Sequence, residues 1–187
     1  VTQNTYSTLV DAYKKTELVE GSTLALYRME AIMVDRAEPS ESLRVNTVWS
    51  IGLNNAKFLL SSAQLDAFRR GEKLTPEVEA KGVRGAYFAY ITFTAKAGKT
   101  KQWYMVAEVD QDAVKVNSLL EYLKNGRGIE KALLKGVKDG SEALKAIVAE
   151  ADGIQNLADE NKVARHFANT MFNTMRGGIY CNGYTID

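Results

Sequence analysis

Leu43-Arg44-Val45-Asn46-Thr47-Val48-Trp49-Ser50-Ile51-Gly52-Leu53 alternates without a break. Successive side chains of a strand point to opposite faces, so Leu43, Val45, Thr47, Trp49, Ile51 and Leu53 share one side. The pattern predicts a strand over 43–53 with an inward tryptophan and a thick core behind it. Immediately upstream, residues 22–35 read as a long strand. Ala25, Tyr27, Met29, Ala31 and Met33 lie on one side of it, and Leu24, Leu26, Arg28, Glu30, Ile32 and Val34 on the other. A charged turn at 36–42, fixed by Pro39, joins the two and predicts an antiparallel pair.

Working outward, residues 5–18 carry Tyr6, Leu9, Val10 and Tyr13 at helical spacing and predict a short amphipathic helix. Residues 54–71 predict a loop and then a helix over 62–70, with Ser61 or Ser62 as N-cap. The polar stretch 72–81, with Pro76, predicts a surface connector. A hairpin is predicted next, with arms 85–95 and 101–109 around a turn at 97–99. Centred on Gly98, it would set Phe93 opposite Trp103 and Ile91 opposite Met105.

At Asp110 the period changes from 2 to 3.6 for the rest of the chain. Helices are predicted over 110–124, ended by Gly126 and Gly128, and over 129–151, with Gly136 and Gly140 as candidate break points. A loop at 152–155 follows, and Asp159 is placed to cap the last helix. On that helix Ala164, Ala168, Met171 and Met175 form an apolar stripe, while His166, Asn169, Asn173 and Arg176 form a hydrogen-bonding one. Gly177 and Gly178 end it, glycine being the residue that adopts a left-handed cap without steric cost. The expected architecture is α+β: an antiparallel sheet or sandwich module over 1–110, then a helical linker module over 111–187.

Composition narrows the function classes. Of 187 residues, 45% are hydrophobic and 25% charged, as in an ordinary globular protein, and the formal charge of +1 gives no field to attract nucleic acid or an anionic membrane. The apolar runs are too short to cross a bilayer, and no basic-then-apolar leader opens the chain. A single cysteine excludes an internal disulfide, fits a reducing compartment, and points to the cytoplasm. No Cys/His cluster offers a metal site. The chain opens at Val1, and a new extended segment begins near Tyr184, so a fragment truncated at its C-terminal end is expected.

Several groups are candidates for chemistry. Asp35, Glu38 and Glu41 cluster in the turn after a strand, where paired carboxylates would serve glycoside hydrolysis, although a solvated turn balanced by Arg36 and Arg44 also explains them. His166 is a candidate general base as the residue type that most often does that work, but its stripe neighbours are amides and an arginine. It therefore reads as part of a structural polar seam, His166, Asn169, Asn173 and Arg176, that locks the helix to a neighbouring layer. Cys181 lies beyond the glycine pair, off the face that carries His166. Trp49, Trp103 and Tyr87, with Tyr90 beside the last, could stack on sugar rings, with Glu38 as a polar contact. At alternating strand positions both tryptophans are expected in the core. Neither Arg84-Gly85 nor Arg176-Gly177-Gly178 has phosphate-loop spacing.

Taken together, several phrases resemble the sheet portion of large cellobiose-phosphorylase-like proteins. They are Tyr27-Arg28-Met29-Glu30-Ala31, residues 35–44, Arg84-Gly85-Ala86-Tyr87-Phe88 and Trp103-Tyr104-Met105-Val106-Ala107-Glu108-Val109. Residues 166–178 resemble the helical segment that follows it. The resemblance implies an N-terminal β-sandwich joined by helices to an α/α barrel, and phosphorolysis of β-linked glucosides with inversion. The catalytic acid and the inorganic phosphate would then belong to the barrel, outside this chain, so no catalytic residue and no cofactor is carried over. The chain departs from the pattern in that about four strands can be read, fewer than a complete sandwich needs. The function expected is a non-catalytic scaffold packing against, and placed to line, the cleft of an absent catalytic domain. Its partners would be the adjacent domain of the same polypeptide and an oligosaccharide. The alternatives are a stand-alone carbohydrate-binding or protein-interaction module, and a hydrolase using Glu38 with Asp35 or Glu41.

Overall fold

Residues 10–30 and 44–178 are described in a computed structural model of the chain. They form an α+β protein that divides into two compact units, Val1–Arg127 and Gly128–Asp187. In the first unit, strands β1 (Lys14–Leu18), β2 (Ala25–Met29), β3 (Val45–Ile51), β5 (Glu79–Lys81) and β7 (Tyr104–Gln111) make one antiparallel sheet, in the order β5-β1-β2-β3-β7. A second, two-stranded sheet pairs β4 (Lys57–Leu59) with β6 (Phe88–Tyr90).

Strand β3 forms, with Thr47 and Trp49 of the predicted inner side buried, but Ser50 of the other side is buried as well and Val45 and Ile51 are half-buried; β2 pairs with β3 through Ala25↔Val48 and Tyr27↔Asn46. Among the described residues, Leu24, Ala25, Trp49, Phe58, Leu59 and Leu60 are the buried apolar ones of this unit. On one face of the sheet, Lys15 bonds Glu17 at 2.6 Å and Glu79 at 2.9 Å, and Arg28 lies 3.7 Å from Glu17. The Lys15 ammonium holds the Glu79 carboxyl below its ordinary range, first through their hydrogen bond. The opposite face is roofed by Tyr87, whose ring packs on Phe58 at 5.2 Å.

Three expectations are corrected. The helix predicted over 5–18 ends as a strand, β1, in which Thr16 is buried; residues 5–9 lie outside the described residues. Residues 79–81 are an edge strand of the main sheet rather than a surface connector. The 85–109 hairpin does not form a ladder: β6 pairs with β4, β7 pairs with β3, and residues 91–103 belong to neither sheet. An alternating strand fits any antiparallel partner, so the alternation of the two arms does not decide which strand each one pairs with. The turn itself is present, with Gly98 at φ 69° and the Lys99 amide donating to the Lys96 carbonyl.

The short helix α1 (Leu65–Arg69) starts after Gln64, which makes no side-chain cap bond, so neither Ser61 nor Ser62 is its N-cap. Helix α2 (Ala113–Asn125) is capped by Asp112, whose carboxylate accepts from the Lys115 amide, and ends at left-handed Gly126. That amide, before Arg44, holds the Asp112 carboxyl below its usual range.

The second unit contains α3 (Ile129–Glu150) and α4 (Glu160–Gly177). Helix α3 runs unbroken through Gly136 and Gly140. Each glycine costs about 1 kcal/mol in a helix, but neither site demands a bend, and the Lys135–Asp139 ion pair spans the interval between them. Asp159 caps α4 by accepting from the Asn161 and Lys162 amides, and Gly178, at φ 75°, closes it with a bond to the Thr174 carbonyl. The loop between the helices packs through buried Gly153, where a Cβ would collide with the Val148 side chain and lie 2.9 Å from Thr170 Cβ.

Helix α4 does not present the stripe its sequence suggested. Its half-buried residues are Val163, His166, Phe167, Thr170, Met171 and Thr174, whereas Ala164, Ala168 and Met175 are exposed. Apolar residues occupy two neighbouring helical rows, and the close approach of Gly153 to Thr170 selects the row that faces inward.

Candidate functional site

Of the clefts in the sheet unit, two larger ones bear on a site. The larger, about 570 Å³, lies over β1, β2 and the end of β7. Thr16, Tyr27, Met29 and Asn46 line it, and Lys14, Lys15, Arg28, Arg44 and Arg84 rim it. Gly85 makes this arrangement possible, because a Cβ there would clash with Thr16 Oγ1 and the Tyr27 ring. The cations are engaged within the protein: Lys14 bonds Asp11 at 2.6 Å, Lys15 bonds Glu17 and Glu79, and Arg44 lies near Asp110 and Asp112. Charges already matched in this way hold strands together and leave little attraction for a ligand.

Beside this cleft, two phenols are built into the core. Tyr27 donates to the Ala86 carbonyl at 2.8 Å and Tyr87 to the Thr23 carbonyl at 2.7 Å, with Ser50 Oγ 2.9 Å from the Tyr87 hydroxyl. Burial raises the Tyr27 phenol above its ordinary value, and burial pushes Tyr87 up to about 12. An unfolded phenol titrates near pH 10, so between there and about 12 the unfolded chain binds fewer protons than the folded one. The stability these phenols contribute is complete below about pH 10 and is lost as the pH rises through that window. Phenolate absorbance followed together with circular dichroism should therefore show the buried tyrosines ionising only as the sheet unit unfolds.

The smaller cleft, about 430 Å³, is formed by the loop that the hairpin reading had made a ladder. Phe93, Thr94, Lys96, Lys99, Thr100, Lys101 and Trp103 line it with Ala95. Two backbone features set it in place. Tyr104 is in register with Ile51 at the end of the β3–β7 ladder, which fixes the chain on either side of Gly52 and Trp103. Gly52, at φ 88°, has no Cβ to meet the Gln102 carbonyl at 2.6 Å or the Trp103 Cα at 2.9 Å, so the loop can cross directly over it. The Lys101 ammonium sits 5.7 Å from the centre of the Phe93 ring. The lining includes no carboxylate.

The tryptophans part company. Trp49 is 3% exposed, its indole N–H 3.4 Å from Glu108, and is unavailable to a ligand; Trp103, expected in the core, is 46% exposed. Tyr87 is part of the buried network, not a platform. Tyr90 donates to the Leu74 carbonyl at 3.3 Å. Asp35, Glu38, Glu41 and Cys181 lie outside the described residues.

The polar seam is also corrected. His166 is half-buried, and its Nε2 lies 2.8 Å from the Asp152 carbonyl, tying α4 to the preceding loop. Asn169, Asn173 and Arg176 are exposed, Arg176 lying 5.5 Å from the centre of the Phe172 ring. The inward row of α4 is taken by Val163, Phe167, Thr170, Met171 and Thr174 beside His166, which leaves Asn169, Asn173 and Arg176 on the outer side. Asn169→Ala and Asn173→Ala are accordingly expected to change stability by less than about 0.5 kcal/mol each, measured by urea unfolding. A larger loss would place them in a buried seam.

Glu77 escaped the sequence reading. Its Oε2 accepts from the Leu60 and Ser61 amides at 2.7 and 2.8 Å, and its Oε1 from Gln64 Nε2 at 2.8 Å and Ser61 Oγ at 3.2 Å. A lone glutamate in a polar connector gives no signal of such a role. Gly52 and Gly85 were equally silent, since close approach depends on which strands pair. Of the three lysines between 96 and 101, Lys99 was read as a turn residue and Lys101 as the start of a strand, and Lys96 carried no role.

Among the described residues, no group of three or more His, Cys, Asp or Glu side chains could hold a metal ion, and no helix is long and apolar enough to cross a membrane. In comparisons with known proteins, no family model matches the chain and no curated protein matches it.

Proposed function

We propose that the chain is the non-catalytic portion of a carbohydrate-active protein and that its sheet unit binds a saccharide in the Trp103 cleft. The observation that carries this reading is the cleft itself: an exposed indole with a phenyl ring and two threonine hydroxyls beside it. The flat apolar face of a pyranose stacks on such a ring while its hydroxyls find hydrogen-bonding partners at the rim. Glycoside cleavage uses a pair of carboxyl groups flanking the bond, and the lining contributes none, so the site is one of binding. A scaffolding role draws support from the second unit, where Leu134, Val137, Phe172 and Met175 are exposed and suit an apolar neighbour such as a catalytic domain. This is the setting that the resemblance to cellobiose-phosphorylase-like proteins implies, and the lone thiol suits a cytoplasmic location.

The buried state of Trp49 makes the test clean, because a saccharide-dependent change in tryptophan emission must come from Trp103. Titration with cellobiose and longer β-glucans should shift the emission saturably, and Trp103→Ala should abolish the response while leaving the circular dichroism spectrum unchanged. Emission that ignores every saccharide, neutral or charged, would overturn the reading.

A further inference from the structure

We infer that the saccharide taken by the Trp103 cleft carries an anionic substituent, a carboxylate, sulfate or phosphate group, which Lys96, Lys99 and Lys101 hold; this rests on the carbohydrate reading above. The three lysines fall within six residues of one another and line the cleft with no carboxylate among its walls. Among the described residues none of the three forms an ion pair, in contrast to Lys14, Lys15, Arg28 and Arg44 of the larger cleft, each within 4.0 Å of a carboxylate. Like charges kept this close repel, and a bound anion relieves that repulsion.

The geometry divides the ligand into two parts. Lys101 lies against the Phe93 ring, which keeps its ammonium at the cleft wall. Trp103 is left as the stacking surface for a sugar ring. A group projecting from that ring then meets ammonium groups and the hydroxyls of Thr94 and Thr100. A nucleic acid strand fits less well. The cleft, at about 430 Å³, is confined to one loop, and a chain of net charge +1 has no extended field to follow a phosphate backbone.

The experiment titrates the intact chain with cellobiose, a glucuronate-containing disaccharide, a sulfated disaccharide, inorganic phosphate, inorganic sulfate and a short oligothymidylate, read by Trp103 emission. At low ionic strength at least one charged disaccharide is expected to bind about tenfold or more tighter than cellobiose, an advantage that shrinks in about 0.5 M salt, where the Debye length falls to about 4 Å and solvent ions screen the exposed ammonium groups. Changing all three lysines to glutamine should erase the preference, and changing them to arginine should retain it. If cellobiose binds as tightly as both charged sugars, the inference falls and the carbohydrate reading stands. If no sugar binds, both fall. Binding of inorganic anions or of the oligothymidylate as tight as that of the charged sugar would also overturn the inference, since the site would then read charge without a sugar ring.

Discussion

Glu77→Ala is expected to cost the sheet unit about 2–5 kcal/mol, one of the largest effects of any single substitution in the chain. The carboxylate receives the amides of Leu60 and Ser61, residues 0% and 7% exposed, together with the Ser61 hydroxyl and the Gln64 side-chain amide. Removing it leaves two amides that water cannot reach, and each orphaned donor costs about 1–3 kcal/mol. The bonds also tie the end of β4 to the segment leading into β5, so their loss loosens two strands together. Urea unfolding measures the effect directly. Glu77→Gln separates charge from shape, because one amide oxygen can still accept while the NH2 group faces another donor; it should fall between the parent and the alanine variant. A stability unchanged in Glu77→Ala would mean that those amides have other partners.

Gly52→Ala comes next, at about 2–5 kcal/mol, the sum of about 1–2 for a side chain in left-handed backbone and about 1–3 for overpacking. Both contributions are hard to relieve. The backbone at φ 88° suits glycine, and the atoms that an added methyl group would strike, the Gln102 carbonyl oxygen and the Trp103 Cα, belong to backbone that cannot rotate aside. The end of the β3–β7 ladder would have to part. Because Trp103 rides on that crossing, the variant should change tryptophan emission and weaken the saccharide response as well as lowering the unfolding midpoint. Normal stability with normal emission would show that the loop does not cross there.

How much of this could be read from the residues depended on how local each feature is. The C-terminal end of α2 and both ends of α4 were legible because Gly126, Asp159 and Gly178 act on amides and carbonyls within one turn, whereas the start of α2 at Asp112 lies two residues past the predicted one. Strand β3 was legible because seven alternating residues admit one reading. Its neighbours were not. The choice of β4 as partner for β6 lies in contacts between residues some thirty positions apart, Lys57↔Tyr90 among them, that no alternation encodes. The candidate site failed in the same way. Trp103 was visible as an aromatic residue in an apolar pattern, but its exposure follows from a ladder that stops at Tyr104, one residue after it. Likewise the inward row of α4 was settled by Gly153 in the preceding loop rather than by the helix's own spacing.

The three residues of β5 have a consequence for how the sheet meets other chains. An open edge is a template on which foreign strands can stack, the first step toward fibrous aggregates. At this edge the template is only Glu79, Ala80 and Lys81, too short to seat an arriving strand, and adding one would draw the Glu79 and Lys81 charges out of water. Polymerisation through this side of the sheet is blocked by the same small strand that completes it.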